Sequence, residues 1–281
     1  LPMAAMTNHR PVKNSRIAVY ILALAAMLAT MFLLRKCSHD EVSPFAPQKG
    51  HSGGDTIDVA IEVSPVCYSL AGDTATGLDY EMVKDLSQYL NRPVKFHPFA
   101  PLQYALDGLE AGRYDIVVSS LPSTVEMKQR FLMSPPLYID RQVLVQRLGK
   151  DSLPAVKSQQ QLGGDTVWVP ARSPFVARIN SLAREIGDTI IVMEDPSYSS
   201  EQLLILVALG EVKQAVVNDL VAQSMAGDYP QVDISTGISF SQFQTWAMRR
   251  DSEPLADSIS TWLESYKASA RYSGLIRQYL H

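Results

Sequence analysis

Cysteine is nearly absent from this chain: Cys37 and Cys67 are the two among 281 residues. They are too few for a disulfide framework, and their spacing matches no zinc pattern. The five histidines (His9, His39, His51, His97, His281) are scattered without ligand spacing, so neither a metal nor a cofactor is expected. An excess of positive charge is missing as well. Residues 1–54 hold six Lys or Arg against Asp40 and Glu41, leaving 19 basic and 27 acidic residues in 55–281, a net charge near −8. A surface of that sign repels phosphate backbones, so no nucleic-acid partner is expected. Hydrophobic residues make up 46% and charged residues 19%, a balance that fits a globular protein and not general disorder.

What is present begins with an uncharged run, "IAVYILALAAMLATMFLL", from Ile17 to Leu34. Its 18 residues at 1.5 Å rise span roughly 27 Å, close to a bilayer core. Arg35 and Lys36 stand directly before Cys37, where a cleaved signal or a lipoprotein needs small residues, so the run reads as one uncleaved transmembrane anchor. The acid-free segment 1–16 is then a cytosolic tail. Residues 35–56, which include the Pro, Gly and Ser-rich "SHDEVSPFAPQKGHSGGDT", read as a linker.

From Ile57 short β-like runs alternate with helical patterns. "IDVAIEV" has the Val and Ile content of a buried strand, and Leu78, Met82, Leu86, Tyr89 and Leu90 form one stripe of an amphipathic helix. "RPVKFHPF" reads as a strand, Leu102 to Leu109 as a helix opened at Pro101, and Tyr114–Val118 as the next strand. The same β-α-β-α-β order recurs from Thr166, and in both halves it predicts a parallel sheet covered on both faces. "RQVLVQRL" (141–148) and "FQTWAMRR" (243–250) are strand-like crossings between the halves, and "EPLADSISTWLESYKASARYSGLIRQYL" reads as one final helix. The fold expected is α/β, two-lobed, with two hinge strands. Lobe 1 comprises 57–140 and 249–281; the hinge strands and lobe 2 take 141–248.

These segments together resemble a known family, the family 3 periplasmic solute-binding proteins of type II two-lobed fold. The likeness rests on "GLDYEMVKDLSQYL", "LDGLEAGRYDIVVSS", "STVEMKQRFLMSPPLY", "AVVND" and "SGLIRQYL", in that order from Ile57 to Leu280. "SPVCYSLAGDTATGLDYE" is most similar to the solute-binding-like module of the membrane-bound lytic transglycosylases F, and the resemblance stops short of their catalytic domain. It implies a non-enzymatic protein, membrane-tethered and facing the periplasm, that closes on a small polar ligand (amino acid, short peptide or cell-wall fragment) for transport or sensing. An ABC-type permease or cell-wall enzymes are the implied partners. The alternative is a non-catalytic or split component of a lytic transglycosylase system, or an enzyme on the same two-lobed fold. Glu264 and Ser265 imitate the catalytic Glu-Ser pair of such enzymes, but stand on the terminal helix without a cleft.

The resemblance also implies ligand contacts from both lobes. Tyr68 stands where the family has an aromatic wall, against a plain packing role. Ser119, Ser120, Ser123 and Thr124 offer hydroxyls and N–H groups, with Ser123 or Thr124 also able to cap a helix beside Glu126. Met127 occupies the place of the Arg that usually binds an α-carboxylate, which favours a larger or less anionic ligand. In lobe 2, Ser173 is expected at the helix N-terminus that closes on the ligand. Asp219 is expected as either an ammonium-binding carboxylate or a helix cap. No base accompanies Cys67, which is expected to be a small buried packing residue.

Overall fold

In the computed structural model the described residues are Met27 and 55–280, and the architecture below is that of the second of the chain's two units, 47–281. The predicted anchor, apart from Met27, lies outside the described residues, as does most of the linker. Among the described residues no helix is long and apolar enough to cross a membrane.

The first half runs β1 (Ile57–Glu62), β2 (Ser69–Ala71), β3 (Thr74–Thr76), α1 (Leu78–Leu90), β4 (Val94–Phe99), α2 (Leu102–Glu110), β5 (Ile116–Pro122), α3 (Val125–Arg130), β6 (Leu132–Met133) and β7 (Ile139–Asp140). The second half contributes β8 (Gln142–Arg147), β9 (Thr166–Pro170), α4 (Pro174–Ile186), β10 (Ile191–Asp195), α5 (Ser200–Leu209), β11 (Gln214–Asn218), α6 (Asp219–Ala226) and β12 (Val232–Asp233). The chain closes with β13 (Gln242–Met248), α7 (Glu253–Tyr266) and α8 (Ala270–Tyr279).

Among the described residues two large sheets are ordered β4-β1-β5-β13-β6, with β7 pairing β13, and β10-β9-β11-β8-β12, and β2 pairs β3 in a small third. In each large sheet, three parallel strands are joined by an antiparallel one, β13 against β5 and β8 against β11. The parallel order expected of the β-α-β-α-β strands holds, and the correction concerns the crossing strands, which are full antiparallel members of the sheets. Gln242–Met248, which sequence grouped with the second lobe, lies in the first sheet, because antiparallel pairing with β5 buries Trp246, Ala247 and Met248 in that lobe.

The α1 stripe buries Leu78, Met82, Val83 and Leu86 as its period requires, whereas Tyr89 is exposed. No side chain caps this helix. Leu78 N–H donates instead to the Val66 carbonyl (2.7 Å) and Tyr80 N–H to that of Cys67 (3.1 Å), so the loop after β1 satisfies its first turn. That close approach demands Gly77, whose φ is 141° and whose Cβ, if present, would lie 2.2 Å from the Cys67 oxygen. The predicted single terminal helix is also corrected. It breaks after Tyr266 and restarts at Ala270, where Ser269 accepts the Tyr272 N–H at 3.1 Å as an N-cap.

Candidate functional site

Where the C-terminal ends of β1 and β5 meet the N-termini of α4 and α5, side chains from both lobes converge on one cleft. Lobe 1 brings Glu62, Ser119 and Ser120; lobe 2 brings Ser173, Ser199, Ser200 and Asn218, and Leu102, Pro174 and Phe175 supply apolar walls. This is the position at which open α/β sheets bind ligands, since strand ends and helix N-termini leave backbone groups to be satisfied there. The space between them is about 20 Å³, room for about one water molecule.

Glu62 is the one ionisable residue lining the cleft among the described residues. Burial pushes its carboxyl up to about 7, against the opposing effect of donors from Ser119 Oγ and the Ser120 N–H; the negative charges of Asp79 and Glu201 raise it further. No Lys, Arg or His shares the lining. The cleft is thus acidic and uncompensated, and a cation entering it would gain both a partner and release from that strain.

Behind Ser120 lies a buried chain. Ser120 Oγ is 3.1 Å from Tyr138 Oη, and Tyr138 donates to Asp79 Oδ2 at 3.1 Å. Trp246 Nε1 donates to Asp79 Oδ1 at 2.8 Å, and the Cys67 thiol bonds the same carboxylate. Asp79 is fully buried, and desolvation raises its carboxyl while Trp246, Cys67 and Tyr138 hold it down. Cys67 is itself buried and free, its thiol pushed well up by burial and the neighbouring carboxylates, which makes it a packing residue and not a nucleophile.

Of the expected ligand residues, Ser119, Ser120 and Ser173 meet in the cleft. Ser173 begins α4 without capping it, and its buried hydroxyl has no partner. The others fall elsewhere. The Tyr68 ring stands edge-on to Tyr80 at 5.5 Å, which in turn packs against Phe96, so it belongs to the lobe 1 packing and is outside the cleft lining. Thr124 caps α3 by accepting the Met127 N–H at 3.2 Å; with Ser123 it lines a separate groove beside Pro135 and Phe243. Met127, 5% exposed, packs with Leu102, Leu106 and Phe131.

Asp219 is engaged by Arg141, whose Nε lies 2.6 Å from Oδ2, and is the first residue of α6; the cap position and the place in the cleft belong to Asn218. Hydrophobic pattern located the end of that strand, but not which of two adjacent polar residues lines the cleft. Sequence reasoning missed Glu62, Ser199, Ser200 and Asn218. Glu62 was findable, being the acid at the C-terminal end of the first strand. Glu264 stands exposed on α7, remote from any cleft-lining residue.

Beside Ser173 and Pro174 a wider groove of about 640 Å³ runs between α3 and α4; Thr124 and Met127 also line it, and Glu126, Arg130, Arg172 and Glu194 border it. Arg172 reaches from lobe 2 to Asp107 of α2 in lobe 1 at 3.7 Å. At the crossing itself, Asp140 accepts the N–H groups of Arg141 (2.7 Å) and Leu220 (3.2 Å) and the Asn218 amide (3.2 Å). Burial pushes its carboxyl up to about 7 in spite of these donors.

Curated relatives include membrane-bound lytic murein transglycosylases F. That of Shewanella pealeana is 30% identical over 154 residues, 55% of this chain and 31% of the relative. That of Shewanella sediminis is 23% identical over 257 residues, 91% of this chain and 52% of the relative. The chain therefore spans about half, or less, of the length of these relatives. Among solved structures, an ancestral arginine-binding protein bound to glutamine superposes with a TM-score of 0.71 at 22% identity, covering 81% of this chain and 98% of that one. The matched domain is a solute-binding one, in keeping with a non-catalytic module. The family described as "Bacterial extracellular solute-binding proteins, family 3" matches residues 56–281, and the chain belongs to it.

Proposed function

We propose that this protein binds, between its lobes, a small polar ligand that carries a protonated nitrogen, with Glu62 as the counter-charge. The observation that carries the reading is Glu62 itself: an acid at the cleft floor, hydrogen-bonded by Ser119, with no cation in the lining. Ser119, Ser120 and Ser173 hold the ligand's polar atoms. The arginine-binding neighbour supports an amino-acid-sized ligand. Met127, apolar and packed in the core, supplies no charge for an α-carboxylate, and the 640 Å³ groove next to Ser173 favours an elongated ligand such as a short peptide or cell-wall fragment.

The protein acts at the outer face of the inner membrane, held there by the Ile17–Leu34 segment as a single-pass anchor, and either delivers its ligand to an ABC-type permease or reports it to cell-wall enzymes. The names of the transglycosylase relatives and the extracellular family description favour that location. A second reading, a non-catalytic component of a peptidoglycan lytic transglycosylase system, draws on the 257-residue match to the Shewanella sediminis protein.

Calorimetric titration of the full chain with L-arginine, L-lysine, L-glutamine and a diaminopimelate-containing stem peptide tests the proposal. A cationic member of this panel is expected to bind and to lose at least about tenfold in affinity with Glu62→Gln. Binding of L-glutamine alone, indifferent to that substitution, would overturn it.

A further inference from the structure

The serine hydroxyl hydrogens on the lobe 1 face of the cleft each have a destination within the protein. Ser119 Oγ–H donates to Glu62, and so does the Ser120 N–H. Tyr138 has a single proton and gives it to Asp79 Oδ2 at 3.1 Å, so the 3.1 Å contact between Ser120 and Tyr138 must be made with the Ser120 proton. As a carboxylate Asp79 accepts on both oxygens: Trp246, a donor without acceptor capacity, holds Oδ1 at 2.8 Å and Tyr138 holds Oδ2. On lobe 2 one of the two Asn218 amide hydrogens goes to Asp140 at 3.2 Å, whereas Ser173 has no partner and the Ser199 hydroxyl only accepts, from the Gln202 N–H. The hydroxyl protons free to meet a ligand thus lie at the N-termini of α4 and α5, on Ser173 and Ser199, and the free side-chain lone pairs lie on lobe 1.

We infer that Asp79 and Tyr138 are positioning residues: they turn the Ser120 proton away from the cleft, so that the lobe 1 side chains there offer a ligand acceptors only and select an N–H-rich cation over an isosteric group bearing a carbonyl oxygen. The inference rests on the cationic reading of the Glu62 cleft and adds to it the element that rejects near-isosteres. A hydrogen-bond polarity set from behind the site discriminates strongly, because the wrong ligand leaves two acceptors facing each other in a desolvated space.

L-Arginine and L-citrulline share a skeleton and differ where a guanidinium nitrogen is replaced by a urea oxygen, which makes them the probe pair for calorimetry on the full chain. The wild type is expected to prefer L-arginine by about 100-fold or more. Tyr138→Phe frees the Ser120 proton to turn into the cleft, so L-citrulline binding should strengthen while L-arginine weakens, and the ratio should fall at least tenfold. Asp79→Asn should do the same by another route: the new amide keeps its oxygen on the donor-only indole and turns its N–H toward Tyr138, reversing the chain. Melting curves establish that each variant folds. Ser120→Ala, which leaves the buried pair in place, should weaken L-arginine about tenfold and L-citrulline less.

Loss of both affinities by the same factor in these variants would be the mark of a merely structural role and would overturn the relay while leaving the cationic reading intact. A wild type that prefers L-citrulline, or binds neither, overturns the cationic reading and the relay with it.

Discussion

Glu62 combines two opposed tendencies, and pH separates them. Its carboxyl ionises near 4.5 in an unfolded chain and, because the fold withdraws it from water, near 7 in the folded structure. The folded state therefore binds an extra proton between those values. Stability of the ligand-free protein should fall as pH climbs through that window, with the full penalty present above about 7. Glu62→Gln should flatten this loss by on the order of 1–2 kcal/mol, read from urea unfolding at pH 5 and pH 8. Cation binding runs the other way, tightening as pH rises through about 7 because the ionised carboxylate is the partner; titrations at pH 6 and pH 8 check it. Gly77 is the other residue whose role is single and sharp. Gly77→Ala would place a methyl 2.2 Å from the Cys67 oxygen at a φ of 141°, and should cost at least about 2 kcal/mol by chemical denaturation.

Among the elements, those with a clear period were legible, and those whose identity depends on a distant partner were not. Leu78 to Leu90 was readable to the residue because its apolar stripe and its exit at Asn91, in the left-handed region at φ 48°, are local facts. β13 carries an equally plain pattern, but its sheet is decided by pairing across more than a hundred residues: Thr245 with Leu121 and Met248 with Ile116. The break between α7 and α8 was written in Ser269, a cap that two flanking helical patterns concealed. Ser269→Ala should cost about 1 kcal/mol, with loss of helicity confined to the last turns, which hydrogen exchange at Tyr272 and Ser273 would localise.

At the scale of the two-lobed unit the decisive property is that two similar sheets meet at a crossing where one apolar cluster joins Leu78 and Trp246 to Val143 and Val217. Asp140 ties β7 to the start of α6, and Arg172 spans to Asp107 at 3.7 Å across an exposed gap. Exposed ion pairs of this kind contribute little, below about 1 kcal/mol, so Arg172→Ala should leave the melting temperature within about 3 °C and act chiefly by speeding ligand release in stopped-flow. Ligand present at 100 times its Kd should stabilise the protein by about 2.7 kcal/mol, a shift that thermal unfolding with and without the ligand would read directly.

The sequence by itself determined the alternation of strands and helices, the duplication of one β-α-β-α-β unit, the acidic balance of the globular part and the apolar run ahead of it, because each is a local or compositional property. It also placed Ser119, Ser120 and Ser173 near strand ends and helix starts, where ligands bind. Only the tertiary structure decided which polar side chains face one another. Tyr68 turned to Tyr80, Asp219 to Arg141 and Met127 into the core, while Glu62 and Asn218 came to the cleft. The physical reason is that a polar side chain on a loop or strand end is satisfied by whichever complementary group the fold brings within about 3 Å. That group here comes from a different element, as the Ser119 hydroxyl on β5 does for Glu62 on β1.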